Sequence, residues 1–188
     1  DGHHVSLSEN YNAAINAVTT EKLVLGHTDM VFCKNFFEVL ERDMTPENFY
    51  IYSTVEPPIY VGHRRPGKNI GYFGENFESF IRDVFENYVS VIQGRPLNLY
   101  RGYGFFLAGY KKNFEDVGGF DMLTFNPVFC EDDDICIRIR QKGYHMLVDE
   151  HAIAYHFVSL TAREAKKNMT APEIEANRKF ARKWGFEA

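Results

Sequence analysis

The chain has 188 residues and a formal net charge of -5, with 45% hydrophobic and 25% charged residues. This length fits one domain with a sizeable core, and an acidic chain without a run of Lys or Arg is not expected to bind nucleic acid. No stretch of about 18 apolar residues is present, so we expect no transmembrane helix. Three cysteines without paired spacing argue against a disulfide framework. We therefore expect a cytoplasmic protein, either free or held at the periphery of a membrane.

The first part of the chain alternates strand and helix patterns. These patterns predict a strand at 3–7, a helix at 8–20 with Ser8 as its N-cap, a buried strand at 22–26 and a helix at 34–42. The second strand leads into His27-Thr28-Asp29. Polar residues after the carboxyl end of such a strand lie where open α/β sheets bind ligands.

Residues 45–101 have a different texture, which we interpret as a variable insertion on a common scaffold. The patterns predict a strand at 49–55 stopped by Glu56-Pro57-Pro58, a Gly-rich basic loop at 62–74 and an amphipathic helix at 76–93. His63, Arg64, Arg65 and Lys68 in the loop fit either a site for phosphate or another anion, or a solvated surface. The aromatic residues Tyr100, Tyr103, Phe105 and Phe106 fit either sugar stacking or core packing.

The last part of the chain again mixes strands and helices. We predict a strand at 104–110, a helix at 111–117, strands at 145–148 and 152–155, and a closing helix at 172–184. Residues 134–140 alternate as a strand would, but acids at 131–134 and bases further on suit the two ends of a helix. We predict a helix there, with Asp134 pairing with Arg138 one turn later. The alternation of strands and helices indicates an α/β fold.

Four short motifs occur in a fixed order: Gly118-Gly-Phe-Asp121, the run EDDDICIR at 131–138, Gly143-Tyr144, and Ala154-Tyr-His156. Their order and spacing resemble the second half of family 2 glycosyltransferases, where a GGFDE turn precedes an EDxDLxxR helix, a turn and a strand ending in His. The helix at 13–16 and the ending at 178–185 resemble the same family. The resemblance implies a GT-A-like, Rossmann-like mixed sheet flanked by helices in one domain over 1–188, with the 45–101 insertion on the acceptor side.

The resemblance also implies a function and a set of site residues. The expected reaction moves a sugar from a nucleotide-diphosphate donor, with a UDP-sugar foremost, to a hydroxyl of a glycan or other acceptor, with inversion and with Mn²⁺ or Mg²⁺. By motif position, the general base is Asp132, and Glu131 orients the acceptor or the base. The implied metal ligands are Asp29 and His156, and the implied donor contacts are Asn16, His27 and Arg138.

The chemistry of these residue types gives independent reasons and leaves alternatives. A carboxylate is a suitable ligand for Mg²⁺ or Mn²⁺, and a histidine in the set favours Mn²⁺. Asp29 also fits a helix N-cap, and His156 also fits a buried histidine with no ligand. The four acids at 131–134 fit the dipole of a helix N-terminus, although adjacent like charges repel and raise the pKa of at least one of them.

The resemblance leaves the family's opening β-α-β unit without a counterpart, so we expect an N-terminally truncated version. Such a chain is a fragment, has lost part of its donor site, or has that part supplied by another chain, as in a homo-oligomer. In addition, His27 stands where the family has the first Asp of its DxD motif. The alternative function is a non-catalytic domain of this type that binds a glycan or a partner chain.

Overall fold

A computed structural model describes residues 6–58, 65–126, 128–160 and 170–186, which form a mixed α/β fold. Its strands are β1 (Lys22–Val24), β2 (Met30–Phe32), β3 (Asn48–Glu56), β4 (Lys68–Ile70), β5 (Leu99–Arg101), β6 (Leu107–Tyr110) and β7 (His145–His156). Its helices, within the described ranges, are α1 (Leu7–Ala17), α2 (Phe36–Asp43), α3 (Arg82–Gln93), α4 (Lys111–Asp116), α5 (Glu131–Gln141) and α6 (Thr170–Trp184). No helix in these ranges is long and apolar enough to cross a membrane.

The strands form one strongly curled sheet in the order β1-β6-β3-β7-β2. The two long strands, β3 and β7, run parallel at its centre, while β1 on β6, β6 on β3 and β2 on β7 are antiparallel. The remaining short strands extend these flanks, because β4 pairs with the last part of β3 and β5 pairs with the first part of β7. The 45–101 segment therefore contributes β3, a central strand, to the sheet itself.

Both faces of β3 are covered, as expected for a strand that is buried along nearly its whole length. Tyr50 and Tyr52 lie in the larger core cluster, which includes the buried side chains of α2 and α3. Phe49 and Ile51 lie in a second cluster with buried side chains of α1, α4 and α5. Because successive strand residues point to opposite faces, this alternation places helices on both sides of the sheet.

The predicted helix at the acidic run is confirmed as α5. Ile135 and Ile139 are fully buried one turn apart, while the acids occupy the first turn and basic residues the last. The period-two alternation is coincidental, since a helix uses only the positions three and four apart. The expected pair of Asp134 and Arg138 is also present, at 2.8 Å between Oδ2 and Nε.

Three details of the predicted elements are wrong. Leu7 begins α1 instead of ending a strand, and the N-cap is Ser6 rather than Ser8, because Ser6 and Glu9 form a capping box. Residues 3–5 of that strand lie outside the described residues. Helix α3 begins at Arg82 rather than at 76. The loop predicted at 62–74 contains β4, which is too short and too polar to show strand periodicity; residues 62–64 are not described.

The two strands predicted at 145–148 and 152–155 are one strand, β7, with a shift in register between them. The shift leaves backbone donors without ladder partners, and the buried carboxylate of Asp149 accepts the N–H groups of His151 and Ala152 at 2.9 and 3.1 Å. Strands β2 and β5 were not predicted at all. Each has three residues, which is too few to establish a pattern.

Candidate functional site

Polar side chains from three loops and strand ends meet at one edge of the sheet. The parallel strands β3 and β7 end side by side at Glu56 and His156, following the Val55–Tyr155 pair. Asp29 directly precedes β2, whose first residue pairs with His156. His27 follows β1 by a few residues, so the topology alone brings these four side chains to the same edge.

His27, Asp29 and His156 form a compact group with the donor set of a metal site. One ligand atom from each lies within 4.8 Å of the others. His156 Nε2 lies 3.4 Å from Asp29 Oδ1, and Asp29 Oδ2 accepts the N–H of Leu160 at 3.0 Å. Two imidazole nitrogens and one carboxylate oxygen are ligands that Mn²⁺ accepts, so these residues could hold such an ion.

Glu56 holds the other side of the His156 ring. Its Oε1 lies 3.2 Å from His156 Nδ1, and its carboxylate also binds Arg65 and, at 3.0 Å, Lys68 Nζ. A carboxylate on the second nitrogen of a ligand histidine fixes the orientation of the ring, which is the usual outer partner of a metal site. From the sequence alone, Glu56 was expected only to end a strand. Its position beside His156 could have been predicted, because Glu56 and His156 end two strands that can be parallel neighbours.

The protonation states of the two histidines differ. Burial lowers the pKa of His27 to about 4, so its imidazole is neutral and able to bind a metal at pH 7. Burial also favours neutral His156, but its contacts with Asp29 and Glu56 outweigh this and raise its pKa. Burial would raise the pKa of Asp29, yet the hydrogen bond and charge of His156 bring it down to about 2. Without a metal, an imidazolium is therefore stabilised between two carboxylates.

Aromatic rings enclose His27. Its ring stacks on Phe105 at 5.5 Å between centroids, and Tyr11 lies on a nearly parallel plane at 6.3 Å. Phe106, which is fully buried, meets the same imidazole edge-on at 5.3 Å. This enclosure both desolvates the ring and fixes its position. Of the aromatic residues considered for sugar stacking, Phe106 is core and Tyr103 is exposed.

The first two acids of α5 have unusual environments. Glu131 is only 5% exposed and its Oε2 has no partner among the described residues, while Asp132 is half-buried. Burial first, and then the neighbouring acids, raise the pKa of Glu131 to about 7 and that of Asp132 to about 6. The expected crowding effect is therefore present, but burial is the larger cause.

Glu131 should make stability depend on pH. Its folded pKa lies above its unfolded value, so its contribution to stability is full below the unfolded pKa and is lost as pH rises through about 7. Glu131→Gln keeps the shape without the charge, and we expect it to stabilise the protein by about 3 kcal/mol at pH 8 and by less than about 1 kcal/mol at pH 5. Urea unfolding at both pH values, with the exposed Asp133→Asn as control, measures this. An equal effect at both pH values would contradict a buried Glu131.

The charges of both the α5 acids and Asp29 affect the hydroxyl of Tyr11. Its pKa is raised above the usual range by burial and then by the charges of Glu131, Asp132 and Asp29. Tyr11 therefore lies within electrostatic range of the α5 acids and of the Asp29 group at once. Arg65 is likewise affected by both sets of acids, because it binds Glu56 and the charge of Asp132 raises the pKa of its guanidinium against the lowering effect of burial. The charges of the α5 acids and of the Asp29 and Glu56 carboxylates thus act on the same two side chains, Tyr11 and Arg65.

Backbone strain occurs next to both groups. Phe129 and Cys130, which lead into Glu131, have φ values of 80° and 65°. Val158 and Ser159, which follow His156, have φ values of 61° and 54°. Left-handed backbone at residues other than glycine costs on the order of 1–3 kcal/mol each and clusters at functional sites. The second strained pair leads to Leu160, whose N–H holds Asp29.

Asn16 and Arg138, which were expected to contact the nucleotide-sugar donor, have hydrogen-bond partners in other parts of the structure. Asn16 is exposed on α1, and its carbonyl oxygen accepts a hydrogen bond from Lys111. Arg138 binds Asp134 and donates to the carbonyl of Val117 at 2.5 Å. The structure does not bring either side chain into contact with the His27 group. Asp134 also accepts from Lys183 and Trp184 of α6, at 2.6 and 3.1 Å, so this part of α5 serves helix packing.

Asn12, one turn before Asn16, holds the Gly118-Gly119 turn instead. Its amide donates to the carbonyl of Phe120 and accepts the N–H of the same residue, both at 2.8 Å. A Cβ at Gly119 would lie 2.5 Å from the Asn12 amide oxygen, and Gly119 also has a positive φ of 63°. The turn therefore needs glycine for space and for conformation. Asn12 lies on the same side of α1 as the buried residues Ser8 and Ile15. This position in the sequence could have indicated that Asn12 faces the interior of the protein.

Of the basic loop, His63 and Arg64 lie outside the described residues, whereas Arg65 and Lys68 bind Glu56. No protein-family model matches the chain, and none of the curated proteins matches its sequence.

Proposed function

We propose that this chain transfers a sugar from a nucleotide-diphosphate donor, a UDP-sugar foremost, to a hydroxyl of a glycan or other acceptor. The observation that carries the proposal is the compact His27-Asp29-His156 group, beside which Tyr11 stacks on His27 while also responding to the charges of the two acids of α5. Sugar transfer needs these two kinds of group side by side. The His27-Asp29-His156 group would hold a cation that balances the charge of the leaving diphosphate. An acid of α5 would take the proton of the acceptor hydroxyl.

The architecture supports a GT-A-like version of the α/β fold. Helices cover both faces of a mixed sheet, and the candidate site lies at the ends of central strands, where such sheets bind ligands. The motif residues Gly118 and Gly119 form the turn after α4, the acidic run begins α5, and the final His ends β7. This arrangement agrees with the order of motifs in family 2 glycosyltransferases.

The residues present fit a divalent cation. His27, Asp29 and His156 would hold it, with Glu56 orienting the His156 ring, and the two imidazoles favour Mn²⁺ over Mg²⁺. The cation supplies positive charge against the leaving diphosphate. The neutral state of His27 suits this role, because only an unprotonated nitrogen can be a ligand.

The two acids fit different tasks. Asp132, with a pKa of about 6, is mostly ionised at pH 7 and can take the proton of the acceptor hydroxyl. Glu131, with a pKa of about 7, is half-protonated there, and its unpartnered Oε2 can hydrogen-bond the acceptor or the base. A pair of carboxyl groups with separate pKa values is the usual pattern of divided acid and base roles.

Calorimetric titration of a panel of nucleotide sugars, with and without Mn²⁺, tests the proposal. We expect at least one donor to bind in the presence of Mn²⁺, with much weaker binding after chelation, and to be turned over with a hydroxyl acceptor. Binding of a glycan without binding of any donor would instead favour the non-catalytic alternative. Binding of neither would remove both.

A further inference from the structure

Arg65 lies between the two halves of the candidate site. On one side, its Nη2 donates to Thr54 Oγ1 at 2.5 Å and binds the Glu56 carboxylate, which in turn holds His156. On the other side, its positive charge acts on Asp132, although burial still raises the pKa of that carboxyl group. Its guanidinium carbon is 5.1 and 4.6 Å from the ring centroids of Phe105 and Phe106. Hydrogen bonds and ring contacts together fix the plane of this guanidinium.

The fixed guanidinium has donor capacity left over. Its Nη1 is buried without a hydrogen-bond partner among the described residues, although Nη2 is saturated. An unpaired N–H on a charged group is costly, at about 1–3 kcal/mol or more. A role limited to neutralising Glu56 would not require this cost, because Lys68 binds the same carboxylate. The Arg65 side chain keeps 12% of its surface exposed, but Nη1 itself is buried, so binding through Nη1 requires the groups that cover it to move aside.

The charges around Arg65 favour an anion. Glu56 and Asp29 contribute two negative charges, and Arg65 and Lys68 contribute two positive charges. These four charges balance, so a divalent cation held by His27, Asp29 and His156 would give the cluster a net positive charge. The two N–H groups of Nη1 lie in the fixed plane of the guanidinium and can donate to phosphate oxygens, with a better defined direction than those of an ammonium.

We infer that Arg65 binds the donor's diphosphate through Nη1, between the group that would hold the cation and the acids of α5. This inference rests on the proposed function and adds a residue that the motif resemblance does not supply. Arg65 thereby contacts the leaving group directly, while Glu56 positions both Arg65 and His156. Of the described basic residues of this segment, Arg65 thereby takes the anion-binding role, while Lys68 neutralises the Glu56 carboxylate.

Binding of inorganic pyrophosphate in excess Mg²⁺, measured by calorimetry, tests the inference without any turnover. We expect Arg65→Met to weaken binding at least about 10-fold, the loss of one charge-assisted hydrogen bond. Lys68→Met is the matched control, because it removes the same charge from the same carboxylate; we expect it to change affinity by less than about 3-fold. Arg65→Lys, which keeps the charge but loses the planar fork, should fall between them and also serves if Arg65→Met does not fold.

Several outcomes would overturn the inference. These are wild-type protein that does not bind pyrophosphate, Arg65→Met that binds it as well as wild type, and equal losses in the Arg65 and Lys68 variants. The test also separates this inference from the transferase proposal. Pyrophosphate binding that depends on Arg65, without turnover of any nucleotide sugar, would support the anion site and reject the transferase. Turnover that survives Arg65→Met with unchanged pyrophosphate affinity would reject only the anion site.

Discussion

We expect Asp132→Asn to lower the rate of sugar transfer at least about 1000-fold, because an amide cannot accept the proton of the acceptor hydroxyl. Affinities for Mn²⁺ and for the nucleotide sugar should stay within about 3-fold of wild type, since the group that would hold the metal does not include Asp132. Steady-state kinetics and calorimetry on the same preparation measure both. Transfer at the wild-type rate would remove Asp132 from the mechanism.

The matched control for this variant is Asp133→Asn, which neutralises the next, exposed acid. Its activity should be close to that of wild type at pH 8. Because burial raises the pKa of Asp132 to about 6, wild-type activity at saturating metal should rise as pH increases through about 6 and then level off. The charge of Asp133 contributes to that raised pKa, so Asp133→Asn should shift the rise to lower pH. An unshifted profile would indicate that another group titrates.

The second large effect is expected at Asp29. Asp29→Asn should reduce Mn²⁺ affinity at least about 100-fold, because it replaces the anionic oxygen of the donor set with a weak amide ligand. Metal-dependent nucleotide binding should be lost with it. The asparagine oxygen can still accept the Leu160 N–H, so the fold should be retained, whereas Asp29→Ala also removes that bond.

Calorimetry with Mn²⁺ alone, and then with Mn²⁺ and UDP, measures the Asp29 effect. Thermal unfolding of Asp29→Asn provides the control for folding. Unchanged Mn²⁺ affinity in a folded Asp29→Asn protein would mean that the metal binds elsewhere. A normal Mn²⁺ affinity combined with lost UDP binding would show that Asp29 contacts the nucleotide instead.

The parts of the fold that the sequence predicts well are those with strong local signals. The apolar run of β3 ends at a Glu-Pro-Pro sequence, and the structure ends the strand at Glu56. The helix α5 was predicted against its own period-two alternation, because the charge along it suits a helix macrodipole and because the resemblance to family 2 glycosyltransferases implies a helix there. In both cases the determining interactions lie within the segment itself.

The wrong predictions concern elements whose structure depends on residues outside the predicted segment. Strand β4 exists because residues 68–70 pair with the end of β3, and nothing in those three residues alone favours a strand. The β7 shift depends on the carboxylate of Asp149, which supplies acceptors for two N–H groups. The α1 N-cap differs because Ser6, not Ser8, has a glutamate three residues later to complete a capping box.

The residues of the candidate site also differ in whether a local motif or the folded structure identifies them. Asp29, His156 and Asp132 stand in short motifs, so a resemblance could propose them. Glu56 and Arg65 have no motif, and the pairings of β3 with β7 and with β4, together with the bond from Arg65 to Glu56, bring them to His156. A sequence pattern can therefore name the residues proposed for the chemistry more easily than the residues that orient them and set the charge around them.

The central claim is that one site combines a cation-binding group with the acids of α5. Anomalous diffraction from crystals soaked with MnCl₂ and UDP tests it most directly. We predict a manganese peak between His27, Asp29 and His156, with the UDP phosphates on the side facing Glu131 and Asp132. Manganese bound away from these three side chains, or UDP on a face that the α5 acids do not border, would contradict the account.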